Sequence, residues 1–225
     1  MDWLTDQRNE PLIDESQYDS LGPGVHRIAY PARTLLVRHG DRSDFVLYLI
    51  DGYAKSVSHQ PERVILGIHP PGKLVGELAA LTHRPRSADL VALTDIEALF
   101  IPADTFLKLI TDGGPLALAV AERLAVRVQE LGVRVESITS AEQKLAQAVI
   151  ELARSGIGFQ SADGLHLTGF NQRDLASLAG ISRESVSAIL KPLKEQKVVT
   201  IGRQRIAIHD LAAFEALAQR NDQAL

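Results

Sequence analysis

Residues with complementary chemistry stand close together in the stretch VGELAALTHRPRSADLV, where Glu77 follows Gly76 and Arg86 comes ten residues after Gly76. Gly76 at the start of a short helix predicted over 76–81 would let an anion approach free backbone N–H groups. An arginine fork suits phosphate oxygens, and a carboxylate accepts hydrogen bonds from sugar hydroxyls. The stretch therefore predicts a site for a phosphorylated sugar, with Glu77 on the ribose and Arg86 on the phosphate. The alternative is a buried Glu77–Arg86 ion pair that joins two strands.

A second group of polar residues lies near the C-terminus, in FNQRDLASLAGISRESVSAILKPLKEQ. If Arg183 and Glu184 begin a helix that enters the DNA major groove, the arginine can bind guanine and the carboxylate can accept from cytosine. Ser187 follows on the same helix face. The residues that we expect on phosphates, which fix register without reading sequence, are Asn171, Gln172, Arg173, Ser182, Arg203, Gln204 and Arg205.

The charge distribution supports this interpretation. The net charge is −4, which as an average argues weakly against nucleic-acid binding. Residues 166–209, however, carry seven lysines and arginines against three acidic residues, whereas residues 1–165 carry 16 against 22. The positive charge is therefore concentrated where the helices are predicted.

Several protein classes are disfavoured by composition. The chain of 225 residues has no cysteine, which excludes disulfides, thiolate nucleophiles and cysteine-ligated zinc or iron–sulfur centres. There is no Walker loop, HExxH or G-x-S-x-G motif, so we expect neither an enzyme nor a metal site. The polar, acidic N-terminus and the lack of a long apolar run predict a cytoplasmic protein without membrane contact.

The elements that must position these residues change type along the chain. Short β-rich runs separated by turn residues fill 25–101 and predict a sandwich, barrel or roll. A brief helix, ADTFLKLI, follows. Pro115 then favours the start of a long helix.

The long helix carries an apolar seam at heptad spacing, made of Ala117, Ala121, Leu124, Val128, Leu131, Val135 and Ile138. We interpret the seam as a parallel helix pair between two subunits. A second apolar set would face the β domain: Leu116, Val120, Val126 and Val133. The alternative is an amphipathic helix that packs only on its own domain.

The C-terminal elements are predicted from caps and turns. A helix over 141–155 is followed by a Gly/Ser-rich connection, SGIGFQSADG. Asn171 can cap the next helix with Asp174 as its reciprocal partner, Gly180 ends that helix, and Ser182 can cap a helix from Arg183 to about Gln196. Two strands around Gly202 complete the pattern of a winged helix-turn-helix. Such units also mediate protein contacts, which is the alternative.

The cassette GELAALTHRPRSA resembles the phosphate-binding cassette of cyclic-nucleotide-binding domains, usually G-E-[LM]-A-[LMA]-x-x-x-x-P-R-[SAT]-A. The match is ungapped at Gly76, Glu77, Leu78, Ala79, Pro85, Arg86, Ser87 and Ala88. YPARTLLVRHGDRSDFVLYLIDGYAKS resembles the β-roll upstream of that cassette. ISRESVSAIL resembles the recognition helix of the CRP/FNR superfamily, and the resemblance covers residues 22–210 in that family's domain order.

The resemblance implies an α+β protein in three parts: an N-terminal antiparallel, jelly-roll-like β-roll (1–114), a dimerisation helix (115–140) and a C-terminal winged helix-turn-helix (141–225). It implies a cyclic nucleotide, cAMP or cGMP, as effector. The effector site would hold Gly76, Glu77, Leu78, Ala79, Arg86 and Ser87, with Gln129 and Glu130 of the long helix. These last two replace the Thr-Ser pair that contacts adenine in the cyclic-AMP receptor, and Ala188 replaces a base-reading arginine.

We therefore predict a homodimeric, ligand-responsive transcription regulator that binds an inverted-repeat operator in double-stranded DNA, with RNA polymerase as a further partner. One alternative is a regulator of the same fold that is active without a cyclic nucleotide or that senses another small molecule. A second is a nucleotide-binding interaction module whose helix-turn-helix does not bind DNA.

Overall fold

The computed structural model describes residues 12–42, 44–58, 64–133 and 140–219. The described residues form two compact units. One contains the described parts of 6–58 and 68–137, and the other contains residues 64–67 and 140–219. Each unit is treated by itself below. No helix in the described ranges combines the length and the apolar character that crossing a membrane requires.

The first unit is built on two four-stranded sheets. One sheet has the order β1 (His26–Tyr30), β8 (Ile96–Pro102), β3 (Phe45–Asp51) and β6 (Leu74–Val75). The other has the order β2 (Leu35–Val37), β7 (Asp89–Ala92), β4 (Ala54–Ser58) and β5 (Val64–His69), and residues 68–69 of β5 belong to this unit. The strands match the predicted runs except for β6, whose two residues are too short to give a periodic signal. The predicted antiparallel β-roll is confirmed, since pairs such as β3 with β8 and β4 with β7 are antiparallel.

Strand β3 is apolar from Phe45 to Ile50 because both of its faces are buried over this stretch. Leu47 and Leu49 point into the core between the two sheets. Val46 and Tyr48 point the other way, into a second core that the helices cover. Alternate residues of a strand face opposite sides, so a run such as FVLYLI, which the sequence shows without polar alternation, belongs in the middle of a layered unit.

Three helices and a short 3-10 helix cover the first unit. The 3-10 helix spans Glu15–Ser20 and was not predicted, whereas α1 (Glu77–Thr82), α2 (Ala103–Thr111) and α3 (Pro115–Val133) follow the predicted positions. Tyr18 of the 3-10 helix and Phe106 of α2 are buried in the second core with Val120 of α3. The long helix is therefore anchored on the β-roll at its N-terminal half.

The exposed apolar residues of α3 match the predicted seam only in part: Ala121 and Val128 are exposed, but Leu124 is not. Leu124, assigned to the seam, packs against the β-roll core together with Leu116 and Val120. Leu116, Val120 and Leu124 are spaced four residues apart and lie on one face of the helix, so the exposed apolar stripe lies on a different face. That stripe consists of Leu118, Ala121, Ala125 and Val128. Residues 134–139, with Val135 and Ile138, lie outside the described residues, as do the side chains of Val126, Leu131 and Val133.

The second unit is a helix-turn-helix backed by a sheet. Its helices are α4 (Ala141–Arg154), α5 (Gln172–Ala179), α6 (Arg183–Glu195) and α7 (Leu211–Ala218). Its sheet has the order β11 (Val199–Gly202), β12 (Arg205–Ile208), β10 (Gly164–Thr168) and β9 (Phe159–Ser161). The predicted two-strand wing is thus β11 and β12.

The interpretation of SGIGFQSADG as a plain connection is wrong, because β9 lies within it and pairs with β10. The hairpin was hidden by its small and polar residues, which give no apolar alternation. The side chain of Leu167 on β10 is fully buried, which anchors this strand in the core of the unit. Helix α7 was also missed, although Asp210 caps it by accepting from the N–H of Ala213 at 3.2 Å.

Candidate functional sites

The cassette begins at a glycine that no other residue could replace without strain. Gly76 precedes α1 with φ 90°, in the left-handed region that favours glycine. A Cβ built on Gly76 would lie 2.0 Å from Nη1 of Arg86. The glycine is therefore required twice, once by its backbone angle and once by the approach of the arginine.

Arg86 points at the start of α1, as the sequence predicted. Its side chain is buried, with only 4% of the residue exposed. Nη1 donates to the carbonyl of Gly76 at 3.1 Å and Nη2 donates to the carbonyl of Phe45 at 2.7 Å. The guanidinium also lies over the Phe45 ring, 4.7 Å from its centroid. These contacts fix a cationic fork between β3 and α1.

The backbone of Arg86 is fixed as firmly as its side chain. Its N–H donates to the carbonyl of Asp41 at 2.9 Å, and its carbonyl accepts from the N–H of Gly40 at 2.9 Å. The arginine thus lies in the loop before β7, paired with the Gly40–Asp41 turn. Its contact with Phe45 was missed, because nothing in the cassette indicates which strand carbonyl the fork would reach.

The electrostatics of Arg86 combine two opposing effects. Burial lowers the pKa of the guanidinium, while the charges of Asp44, Glu77 and Asp41 raise it. Arginine stays protonated in proteins even when buried, so the site holds a full positive charge that nearby carboxylates partly balance. An anionic ligand would meet this charge in a partly desolvated place, where charge-assisted hydrogen bonds are strong.

The other predicted effector residues differ in exposure. Ser87 and Leu78 are exposed, Leu78 to 37%, whereas the Ala79 side chain is buried. Ala79 therefore offers a ligand only its backbone. The side chains of Gln129 and Glu130 lie outside the described residues, so their part in the site stays a prediction.

The helix-turn-helix is shaped by the predicted caps. Asn171 accepts from the N–H of Asp174 at 3.1 Å, and the carboxylate of Asp174 accepts from the N–H of Asn171 at 2.9 Å. Gly180 ends α5 with φ 64°. Ser182 then caps α6 by accepting from the N–H of Ser185 at 3.0 Å. These caps set where α6 begins, and so place Arg183 in its first turn.

Helix α6 has a buried face and an exposed polar face. Val186, Leu190 and Leu193 are buried in the unit. The polar residues predicted to read bases are all exposed: Arg183, Glu184 and Ser187. Of the residues predicted for phosphates, Arg173 and Ser182 are exposed near the turn, and Asn171 and Gln172 are partly exposed.

The wing places two further predicted residues at its tip. Arg203 and Gln204 form the turn between β11 and β12, with Gln204 at φ 58°. Arg205 is exposed at the start of β12, but its guanidinium is engaged by His166. Arg203 is an exposed cation in the wing turn itself.

Comparison with known proteins shows that each of the two candidate sites lies within a domain of known family. The family model for the cyclic nucleotide-binding domain matches residues 27–112, and the model for the Crp-like helix-turn-helix domain matches residues 143–217. The cyclic AMP receptor protein of Thermus thermophilus is 34% identical over 155 residues, which cover 68% of each chain. The chain belongs to the CRP/FNR family of transcription regulators. The predicted family and fold class are thereby confirmed.

Two more relatives extend the comparison. The cAMP-activated global transcriptional regulator CRP of Salmonella typhimurium is 24% identical over 190 residues, covering 82% of this chain and 89% of its own. The c-di-GMP responsive global regulator CLP of Xanthomonas campestris has a solved structure with a TM-score of 0.68, 20% identity, and coverage of 82% of this chain and 94% of that one. The second likeness shows the CRP/FNR fold alone.

Membership in the CRP/FNR family fixes the general role. The chain is a transcription regulator with a cyclic-nucleotide-binding domain and a DNA-binding helix-turn-helix. Proteins of this family are normally not enzymes. Among the residues that the structure describes, no three metal-binding side chains form a cluster.

Proposed function

We propose that the protein is a homodimeric regulator whose DNA binding responds to a cyclic nucleotide, cAMP or cGMP, held by the Gly76–Arg86 cassette. The observation that carries this proposal is the buried fork of Arg86 aimed at Gly76, with its Nη1 3.1 Å from the Gly76 carbonyl. A planar fork beside a left-handed glycine suits the two free oxygens of a cyclic phosphate. Glu77 and Ser87 would add hydrogen bonds to the ribose and the phosphate.

Ligand binding would reorganise the contacts of Arg86. In the structure two of its donors bond carbonyls of β3 and the cassette. A bound phosphate offers charged oxygens, which are stronger acceptors than carbonyls. The bond to Gly76 is the longer of the two and is the one that we expect the phosphate to replace. Such an exchange would alter the cassette at α1, next to the core on which α3 packs.

Two residues of the long helix would decide which nucleotide base the site accepts. Gln129 and Glu130 supply an amide and a carboxylate, which can bond the edge of adenine or guanine. The relatives named above include a cAMP-activated protein and a c-di-GMP responsive one. We therefore name a cyclic mononucleotide first and keep two outcomes open to the test: a cyclic dinucleotide, and activity without ligand.

The DNA contacts follow from the exposed face of α6. Arg183 and Glu184 would read base edges in the major groove, with Ser187 beside them. Residues around the turn and wing would bind phosphates: Asn171, Gln172, Arg173, Ser182, Arg203 and Arg205. In a symmetric dimer the two α6 helices would lie about 34 Å apart and read an inverted repeat. RNA polymerase would be a further partner of the DNA-bound dimer.

The exposed stripe on α3 supports the dimer. Leu118 and Val128 are 65% and 69% exposed, although both are large and apolar. With Ala121 and Ala125 they repeat at spacings of three and four residues, which is the spacing of a coiled-coil seam. We propose the division into a β-roll (1–114), a dimerisation helix (115–140) and a DNA-binding domain (141–225) on this basis.

Placing a carboxylate in the stripe should break the dimer. We expect Leu118→Glu combined with Val128→Glu to weaken dimerisation at least about 100-fold, since symmetry buries four charges without partners. Sedimentation equilibrium measures the dimer dissociation constant. Leu35→Glu is the matched control, because Leu35 is an exposed leucine on β2. A double variant whose dimer dissociation constant equals that of the wild type would refute the role of this stripe.

The whole proposal is tested by measuring DNA affinity with and without nucleotide. A duplex enriched from a random pool by the full-length protein serves as the probe. Fluorescence anisotropy should show tighter binding when cAMP or cGMP is added. An unchanged affinity with both nucleotides would favour the regulator that acts without them.

A further inference from the structure

A column of aromatic rings ends at the guanidinium of Arg86. The ring centroids of Phe45 and Phe100 lie 4.9 Å apart with an angle of 27° between their planes, and those of Phe100 and His26 lie 4.9 Å apart at 26°. Cζ of Arg86 lies over the Phe45 ring, 4.7 Å from its centroid. These spacings suit stacked rings and a cation–π contact. The aromatic column, made of His26, Phe100 and Phe45, therefore leads to the arginine of the cassette.

Strand register brings one ring from each of three strands into the column. His26 on β1 is paired with Phe100 on β8, and Phe100 is also paired with Leu47 on β3. Phe45 lies two residues before Leu47, so it shares a strand face with Leu47 and is the diagonal neighbour of Phe100. Phe45 and Phe100 also pack against the core between the two sheets. The sheet therefore fixes the column independently of the cassette.

Phe45 contacts the guanidinium in two different ways. Its carbonyl accepts from Nη2 at 2.7 Å, and its ring lies beneath Cζ. A single hydrogen bond would leave the planar group free to turn about the line that joins donor and acceptor. A second contact away from this line restricts that turn. Because the ring attracts the cation through its face, the N–H donors in the plane of the fork remain available to oxygen atoms.

The two contacts with Phe45 would orient the fork when a phosphate is bound. The bond from Nη1 to the Gly76 carbonyl, at 3.1 Å, is the one that we expect the phosphate to replace. A cyclic phosphate is held rigidly by its fused ribose ring, so its two free oxygens meet both prongs only when the guanidinium plane matches them. An arginine that is already oriented also loses less conformational freedom when the ligand binds.

We propose that Phe45 is a positioning residue for the effector site: its ring and carbonyl orient the guanidinium of Arg86 for a cyclic phosphate, and Phe100 and His26 hold that ring in place. The inference rests on the proposed binding of a cyclic nucleotide by Arg86. It assigns part of the affinity to side chains that act through the arginine. The contribution of the Phe45 ring must therefore disappear when the arginine is absent.

A double-mutant cycle measures this dependence. Isothermal titration calorimetry gives the Kd for cAMP and cGMP of the full-length wild type, Phe45→Leu, Arg86→Gln and the protein with both changes. Phe45→Leu should raise the Kd of the tighter nucleotide about 10-fold, which is within the strength of a cation–π contact. In the Arg86→Gln background the same change should alter the Kd less than about twofold. A merely weakened fold would lower affinity in both backgrounds.

Three further variants show whether the ring itself is responsible. Phe45→Tyr keeps a ring and should bind within about twofold of the wild type. Phe100→Leu removes the support of the Phe45 ring and should raise the Kd about threefold. Tyr30→Leu is the matched control, because Tyr30 packs against the same core as Phe45 and lies outside the column. It should leave the Kd unchanged.

Two results would overturn the inference. One is a Phe45→Leu protein that binds within about twofold of the wild type, and the other is an equal loss of affinity in the wild-type and Arg86→Gln backgrounds. If Phe45→Leu does not fold, Phe45→Met takes its place in the cycle, since a flexible methionine fills irregular gaps. Either result in a wild type that binds a cyclic nucleotide leaves the proposed function standing. A wild type that binds neither cAMP nor cGMP would overturn both.

Discussion

Replacing Arg86 with glutamine is expected to raise the Kd for cAMP or cGMP about 100-fold, which corresponds to about 2.7 kcal/mol. Glutamine lacks both the charge and the two-pronged donor geometry that phosphate oxygens match. Isothermal titration calorimetry measures the effect. Some loss of stability should accompany it, about 1 kcal/mol for each hydrogen bond to the carbonyls of Gly76 and Phe45.

Two further variants show whether the effect of Arg86→Gln is specific to the nucleotide site. Arg84→Gln is the matched control, since Arg84 is an exposed arginine two residues away, and its affinity should equal that of the wild type. Gly76→Ala perturbs the same site through the glycine, because the added Cβ would lie 2.0 Å from Nη1 of Arg86. We expect it to displace the fork and weaken nucleotide binding. An Arg86→Gln protein that binds within about threefold of wild type would show that the phosphate lies elsewhere.

Replacing Arg183 with alanine should remove sequence discrimination. One bidentate contact with guanine contributes about 1–3 kcal/mol of discrimination, so each half-site would lose about 5- to 150-fold in discrimination. Affinity for a random duplex should change little. The measurement is the ratio of the Kd for a random duplex to the Kd for the enriched duplex.

Arg203→Ala separates base reading from phosphate binding. Arg203 lies in the wing turn and is exposed, so its loss should weaken binding to both duplexes equally. The salt slope should fall by about one per wing. If Arg183→Ala gave this uniform pattern and left the discrimination ratio intact, α6 would not be the reading element.

Local signals explain why so much of the helix-turn-helix could be predicted. Asn171 with Asp174, Gly180 and Ser182 are caps and turns whose effect depends on adjacent backbone, and the structure shows each of them in place. The cassette was predictable for a similar reason, since its spacing places Arg86 near Gly76. In both patterns the residues that interact lie within about ten residues of one another in the sequence.

The parts that could not be predicted depend on contacts distant in sequence. The fork of Arg86 reaches the carbonyl of Phe45, 41 residues away. Leu124 fits the seam by spacing, yet it packs on the β-roll core, and periodicity alone cannot say which of two apolar faces a neighbour covers. The hairpin of β9 and β10 has polar residues that hide it, and its partner strand β12 lies some 40 residues on.

The coupling of the two sites is the central claim, and one titration tests it directly. The Kd of the wild type for the enriched duplex is measured with no nucleotide, with saturating cAMP and with saturating cGMP. We predict at least about 10-fold tighter binding with one of them, within the usual range of allosteric coupling, and no change in Arg86→Gln. Equal affinity in all three conditions, with no heat from either nucleotide, would contradict a cyclic-nucleotide-responsive regulator.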